Sequence, residues 1–185
     1  MKDDNIAKVK NIWETHNKIL KSTNPILLHD VKKQLLDLFA VGNYYYFIFN
    51  FENLFMEYVH TSIFEILGIK ANTFNINTLF ELLHPEDLSK FHEKEAIASD
   101  FLFNKISKED ITQYKVVYLM RLRHNNGHYK TILHQSRAIN ISEDGKIQQV
   151  LGIHTDVTYL NIPLDHKISF ISSERPSYYA IDTNS

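Results

Sequence analysis

The stretch QYKVVYLMRLRHNNGHYKTILHQSRAINISEDGKIQQVLGIHTDV, residues 113–157, decides the fold. It contains three long runs in which β-branched and aromatic residues recur, as is typical of strands. The separators HNNG (124–127) and SEDG (142–145) each supply the glycine that a tight hairpin needs in a left-handed conformation. The stretch therefore predicts three antiparallel strands joined by two hairpins.

Two further strands are predicted upstream of this stretch. YYYFIFNF (44–51) is aromatic and β-branched, and ENLFMEYVH (52–60) resumes the pattern after a short polar turn. The run TSIFEILG that follows predicts a short helix, with Thr61 as its cap and Gly68 at its end.

A longer helical region is predicted between the two groups of strands. Residues 76–104 have a helical pattern that is interrupted at HPED (84–87), where Pro85 and two acidic residues suit the first turn of a helix. Strands, then helices, then three antiparallel strands indicate an α+β fold, with a five-stranded antiparallel sheet and helices on one face.

The ends of the chain have patterns of their own. Residues 5–40 predict two amphipathic helices joined at a turn around STNP. The tail HKISFISSERPSYYAIDTNS has two short β-rich runs around a turn, which predicts a linker or small hairpin. We therefore divide the chain into an N-terminal helical extension (1–41), a central domain (42–160) and a C-terminal segment (161–185).

Composition excludes several classes of protein. The 44% of apolar and 23% of charged residues are those of a globular chain, so disordered and collagen-like classes are excluded. Because 20 basic residues face 22 acidic ones, we expect no nucleic-acid binding by this chain alone. The absence of cysteine excludes disulfides and thiolate sites. With neither a signal-like N-terminus nor a long apolar run, we expect a cytoplasmic protein without a membrane segment.

Several segments carry a family resemblance. FENLFMEYVHTSIFEILGI, LLHPEDL, MRLRHNNGHYKTI and GIHTDVT follow one another at the spacing of a PAS domain, and residues 44–160 resemble that family. The resemblance implies a PAS-like fold with a sensory function. Three positions depart from the family pattern: Asn126 replaces the usual hairpin Asp, Thr131 the common Trp, and His60 the usual Ser or Asn.

The strand register decides which residues face the interior. If HNNG forms a type I turn with Gly127 left-handed, alternate residues of the first two of these strands share an inner wall, which comprises Tyr118, Met120, Leu122, Ile132, His134, Ser136 and Ala138. The resemblance to a PAS domain favours this register and implies that Val150, Gly152 and His154 lie on the same wall. A plain two-residue loop would instead turn Leu133 and Gln135 inward, and both registers fit the sequence.

Polar side chains on this inner wall have two interpretations. They can satisfy each other or an ordered water in a closed core. Alternatively, they orient a small ligand in a pocket lined by Tyr118, Met120, Leu122, Ile132, His134, Ser136, Val150 and His154. The cofactor is unknown from the sequence. A cysteinyl-flavin photocycle is excluded because cysteine is absent, and haem and other metals are not favoured, because His84 and His92 suit an exposed helix face better.

The opposite face of the sheet is predicted to be apolar and covered. Val117, Leu119, Leu133, Leu151 and Ile153 would point outward together, which is too much apolar surface to leave in water. We expect a homodimer built from this face and the N-terminal helices, with Trp13 and Leu36 at the buried helix surface. A monomer whose own helices cover the face is the alternative.

The end of the last strand is interpreted as a structural joint. The side chain of Asp156 can hydrogen-bond the backbone where the chain leaves the sheet, and no second carboxylate or base predicts catalysis there. With its extensions, the chain is similar to the N-terminal halves of LuxR-type transcriptional regulators of Bacteroidetes-like bacteria. We therefore expect a non-enzymatic sensory and dimerisation module. The alternative is the input domain of a histidine kinase or cyclic-dinucleotide cyclase.

Overall fold

The computed structural model describes residues 7, 8, 10–12 and 38–183. The chain divides into two units, residues 1–39 and residues 40–185. In the first unit the described residues are helical, and the predicted turn at STNP, Trp13 and Leu36 lie outside the described residues. No helix in the described ranges is long and apolar enough to cross a membrane.

The second unit is built on one antiparallel sheet. Its strands, within the described residues, are β1 (Tyr44–Asn50), β2 (Phe55–Val59), β3 (Lys115–Arg123), β4 (Tyr129–Ile141), β5 (Ile147–Asp156), β6 (Lys167–Ile171) and β7 (Tyr178–Asp182). The strand order is β2-β1-β5-β4-β3-β6-β7. The five predicted strands are therefore present, and the C-terminal tail adds the β6–β7 hairpin beside β3.

Three α-helices lie between β2 and β3 in the chain: α1 (Ile63–Leu67), α2 (Ile76–Leu82) and α3 (Leu88–Asp100), which continues as a π-helical turn over Phe101–Lys105. Gly68 ends α1 in a left-handed conformation, as predicted. The predicted cap is wrong by one residue, because Ser62 takes the N-cap position. Its hydroxyl donates to the Tyr44 carbonyl, at 2.7 Å, and so ties the start of α1 to β1.

The HPED segment joins α3 to the sheet. Pro85–Asp87 forms a single 3-10 turn before α3, and His84 Nδ1 accepts from the Glu86 amide at 3.2 Å. The buried Asp87 carboxylate accepts from the backbone N–H of Arg121 at 2.8 Å and from its Nε at 3.1 Å. Burial opposes ionisation of Asp87, but these bonds hold its pKa below the usual value.

The strand pairing confirms the register predicted from Gly127. Gly127 has a φ of +94°, and Met120 pairs with Ile132 across the hairpin. Alternate side chains of β3 therefore pack into the core beneath the helices. Leu133 and Gln135 lie on the opposite face, so the competing register is wrong.

The exit of β5 has the hydrogen bonds expected of a joint. Asp156 accepts from Lys130 Nζ at 2.7 Å and from the backbone N–H and hydroxyl of Thr158 at 3.1 and 2.6 Å. The Thr131 amide donates to the Thr158 hydroxyl at 3.0 Å. These bonds fix the direction in which the chain leaves the sheet.

Candidate functional site

A cavity of about 910 Å³ lies between the inner face of the sheet and helices α2 and α3. Its walls come from both layers and from the turn between β1 and β2. They are formed by Phe47, Phe49, Phe51, Leu54, Met56, Ile76, Leu79, Phe80, Leu88, Ser89, Phe91, His92, Glu93, Glu95, Tyr118, Met120, His134, Ser136 and Val150. The lining is mainly apolar, and phenylalanine is its commonest residue type.

One glycine shapes the sheet side of this cavity. Phe47 pairs directly with Gly152 on the neighbouring strand, and its ring lies over the glycine. A Cβ built on Gly152 would approach the Phe47 ring to 2.2 Å, a distance that real side chains do not adopt. The absence of a side chain at position 152 therefore sets where the Phe47 ring can lie.

A row of polar side chains crosses the inner face of the sheet. Tyr45, His154, His134 and Tyr118 pair in succession across β1, β5, β4 and β3, and we refer to them as the polar row. The Tyr45 hydroxyl lies 2.6 Å from His154 Nδ1, and His154 Nε2 lies 2.8 Å from His134 Nδ1. The Tyr118 ring stacks on His134, with centroids 4.4 Å apart.

Helix α3 supplies the partner at the far end of the polar row. The Tyr118 hydroxyl donates to Glu95 Oε1 at 2.6 Å. Lys94, which is buried, donates to the Leu119 carbonyl at 2.8 Å, and its Nζ lies 5.2 Å from the centroid of the Tyr118 ring. The helix thus places one carboxylate and one ammonium beside the row.

The environment keeps the polar row uncharged. Desolvation, with a smaller contribution from Lys94, lowers the pKa of His134 to about 3, and desolvation also holds the pKa of His154 well below its usual value. Burial raises the pKa values of the Tyr45 and Tyr118 hydroxyls. Burial also raises the pKa of Glu95, and the hydrogen bond from Tyr118 acts in the opposite direction. The Glu95 side chain is nevertheless accessible to solvent at the cavity.

The structure divides the predicted pocket residues into two groups. Tyr118, Met120, His134, Ser136 and Val150 border the cavity. The other three, Leu122, Ile132 and His154, are fully buried in the closed core. They share the inner face with the first group, but they do not border the cavity. His154 is linked to the cavity wall by its hydrogen bond with His134.

The predicted outer-face residues share the opposite side of the sheet. Val117, Leu119, Leu133, Leu151 and Ile153 are each partly buried. Thr131 and Arg137 also lie on this side, as the register requires. Of the predicted helix-surface residues, Trp13 and Leu36 lie outside the described residues, and the dimer itself stays a prediction.

Sequence reasoning missed the contributions of β1, β2 and the helices to the site, including Tyr45, Phe47 and Glu95. The alternation in YYYFIFNF could have indicated that Tyr45 and Phe47 share one face of β1, but the pairing of β1 with β5 is a long-range contact without a local signal. Glu95 sits among charged residues of α3, where a solvent-exposed role is the usual interpretation. Only its contact with Tyr118 distinguishes it.

The described residues do not form an evident metal-binding site. Among the residues that the structure describes, no group of three or more His, Asp or Glu side chains is placed to hold an ion. His92 borders the cavity, whereas His84 stacks edge-on against Tyr129, with ring centroids 4.4 Å apart, and contributes to the turn before α3.

A single antiparallel sheet, with helices over one face and a cavity between the layers, defines a class of two-layer α+β domain. The family model described as PAS fold matches residues 56–154, which is more than half of the chain. The chain therefore belongs to the PAS fold family, whose domains are sensory modules.

One solved structure supports the same fold, and another is also similar to the chain. A sensory box histidine kinase/response regulator from Burkholderia thailandensis E264 is similar, at 19% identity and a TM-score of 0.51, over 70% of this chain and 87% of that chain. The N-terminal domain of a diguanylate cyclase with PAS/PAC sensor from Marinobacter aquaeolei is 18% identical, with a TM-score of 0.47, over 64% of this chain and 99% of that chain. No curated protein matches the chain significantly.

Proposed function

We propose that this PAS domain senses a small molecule, which binds in the cavity between the sheet and helices α2 and α3. The observation that carries the proposal is the cavity itself, at about 910 Å³. Small-molecule sites are typically about 300–1,000 Å³, mostly apolar, with a few polar groups that fix orientation. The cavity has that composition, with Glu95, Tyr118, His134 and Ser136 among its apolar walls.

The size of the cavity argues against the alternative of a closed core. Protein interiors are close-packed, and voids much larger than a water molecule are few. The fully buried Leu122, Ile132 and His154 are packed in that way. The neighbouring Met120, His134 and Val150 border the cavity on the same sheet, which favours a ligand site beside a closed core.

Native mass spectrometry of the purified protein, with identification of extracted molecules, tests the proposal directly. A second test fills the cavity. Val150→Phe adds a ring to a lining residue and should abolish binding of whatever molecule is found, while Ile139→Phe adds the same ring at an exposed position of β4 and should not. Equal binding by both variants would contradict the proposed site.

We further propose that the outer face mediates homodimerisation. This is supported by the partly exposed apolar side chains on one side of the sheet, including Leu119, Leu133 and Leu151. In analytical ultracentrifugation, Leu133→Glu should shift a dimer to monomer. Ile162→Glu, in the exposed link before β6, should not. A Leu133→Glu variant that sediments like the wild type would contradict the role of this face.

For the output, we propose a transcription regulator of LuxR type, in which a signal leaves the sheet through the Asp156 joint. The support is the sequence resemblance of the domain and its extensions, together with the hydrogen bonds of Asp156 to Lys130 and Thr158. Ligand-dependent DNA binding by the natural full-length protein, lost in Asp156→Ala, is the expected result. Ligand-dependent kinase or cyclase activity in that protein would instead identify an input domain of a signalling enzyme.

A further inference from the structure

The polar row has one arrangement of protons that satisfies its buried groups. Among the described residues, the hydroxyl of the fully buried Tyr45 has a single partner, His154 Nδ1. If that nitrogen carried the proton, the Tyr45 O–H would be left without an acceptor, at a cost of about 1–3 kcal/mol. Tyr45 therefore donates, and His154 carries its proton on Nε2.

The same donor-to-acceptor order continues from His154 to His134, which lies in the cavity wall. The His154 Nε2–H donates to His134 Nδ1 at 2.8 Å, so a neutral His134 must carry its proton on Nε2. His134 Nε2 makes no hydrogen bond with any residue that the structure describes, and it is not a buried atom. Since His134 borders the cavity, the row ends there in a fixed N–H donor.

The remainder of the cavity limits the charge of a ligand. Among the described lining residues there is no lysine or arginine to pair with an anion, and Glu93 and Glu95 would repel one. A cation would find those carboxylates, but Glu93 is already paired with Lys90 at 2.8 Å, and the N–H of His134 would repel a positive group. A neutral ligand avoids both conflicts.

The rim of the cavity is apolar as well. Phe51, Leu54, Phe80 and Leu88 border the cavity and are between 45% and 61% exposed. Two lie in the turn between β1 and β2, and the other two lie on α2 and at the start of α3. A molecule that passes between these elements contacts apolar side chains before it reaches the polar row, which favours a mainly apolar ligand.

We propose that the cavity selects a neutral, mainly apolar molecule bearing a carbonyl or equivalent acceptor oxygen, which accepts a hydrogen bond from His134 Nε2. The phenylalanine-rich walls, including Phe47, Phe49 and Phe91, favour an aromatic or similarly broad apolar body. This inference rests on the proposed ligand-binding function and names the class of ligand. Tyr45 and His154 act as positioning residues, because they fix the direction of the His134 donor.

The probe for the test is prodan, a neutral fluorescent naphthyl ketone whose emission shifts to longer wavelength when its carbonyl accepts a hydrogen bond. Two analogues serve as comparisons: one with the carbonyl reduced to methylene, and the corresponding naphthoate anion. The wild-type protein should bind prodan roughly tenfold more tightly than either analogue, as expected for one well-placed hydrogen bond in a dry site. Bound prodan should emit at a longer wavelength than in an apolar solvent.

The variant His134→Phe removes the donor and keeps a ring against Tyr118. It should lose the preference for prodan over the methylene analogue and shift the bound emission to shorter wavelength. His128→Phe, at the exposed tip of the β3–β4 hairpin, is the matched control and should do neither. If His134→Phe does not fold, the wild-type affinity ratio and emission decide the question alone.

The outcomes separate the ligand class from the binding function. If prodan and its methylene analogue bind equally, and Val150→Phe abolishes both, the cavity is a ligand site but the acceptor proposal is overturned. Binding of the naphthoate as tightly as prodan overturns it too. If none of the three binds, and no molecule is extracted from the purified protein, the proposed function fails and this inference fails with it.

Discussion

Replacing Tyr45 with phenylalanine tests the buried hydrogen bond on which the polar row depends. The substitution removes one oxygen and keeps the ring, whose edge contacts with Phe74 and His154, at centroid distances of 6.0 and 5.1 Å, remain. It leaves His154 Nδ1 without a donor at a fully buried position. Because packing is nearly unchanged, the expected loss is the cost of that unpaired nitrogen, about 1–3 kcal/mol of unfolding free energy.

Urea denaturation followed by fluorescence or circular dichroism measures this loss. The midpoint should fall while the slope stays unchanged, since the surface exposed on unfolding is the same. In thermal unfolding the melting temperature should fall by roughly 2–4 °C for each kcal/mol lost. Tyr179→Phe removes the same hydroxyl from a side chain that is 68% exposed and should change stability by less than about 0.5 kcal/mol.

The comparison of the two tyrosine variants can refute the reasoning. If Tyr45→Phe is as stable as Tyr179→Phe, the hydroxyl of Tyr45 does not stabilise the fold through His154. The assignment of donors and acceptors along the polar row, which begins at Tyr45, would then be unsupported. A destabilised Tyr45→Phe should also discriminate less between prodan and its methylene analogue, because the His134 donor is then no longer fixed. Unchanged discrimination would show that His134 is oriented by another group.

Three further substitutions test the roles of Asp87, Gly152 and His134. Asp87→Ala removes the buried acceptor of the Arg121 backbone N–H and side chain and should cost about 1–3 kcal/mol in urea denaturation; a loss below about 0.5 kcal/mol would refute the anchoring role. Gly152→Ala should displace the Phe47 ring, cost about 1–3 kcal/mol and weaken prodan binding, and unchanged binding would contradict the role of this glycine. His134 has a folded-state pKa of about 3, whereas an unfolded histidine titrates near about 6.5, so the unfolded chain binds the extra proton. Its contribution is complete above about pH 6.5 and is lost as the pH falls towards 3. Between pH 7.5 and 5.5, His134→Leu should therefore lose roughly 1 kcal/mol less than the wild type, and parallel losses would mean that the histidine is not desolvated in solution.

The sequence limited the inner face of the sheet to two alternatives, because a strand places alternate residues on one face. Two registers of the β3–β4 hairpin fitted HNNG, and the resemblance to a PAS domain favoured the one that turns His134 and His154 inward. The strand pairing in the structure selects that register. The start of α1 was predicted one residue early: Ser62 takes the N-cap position, and its hydroxyl bonds to the Tyr44 carbonyl, a long-range contact that the local sequence does not indicate.

The boundary between closed core and cavity could not be obtained in this way. Leu122 and Met120 are both apolar, lie on the same strand and face the same side, yet only Met120 borders the cavity. The difference depends on how α2 and α3 cross the sheet, and therefore on contacts between residues far apart in the chain. Alternation along a strand identifies the face and carries no information about the distance to the opposite layer.

The polar row gives a physical reason for the cavity to be where it is. In the polar row, the Tyr45 hydroxyl donates to His154 and His154 donates to His134. Among these three described residues, the Nε2–H of His134 is therefore the donor that still needs an acceptor. A core closed over His134 would bury that donor at a cost of about 1–3 kcal/mol. Open space beside His134 avoids this cost, because a water molecule or a ligand oxygen can accept the bond. A ligand whose acceptor replaces water there, and whose apolar body covers Phe47 and Phe49, gains from both parts of the wall at once. The direction of the row and the position of the cavity thus favour the same class of molecule.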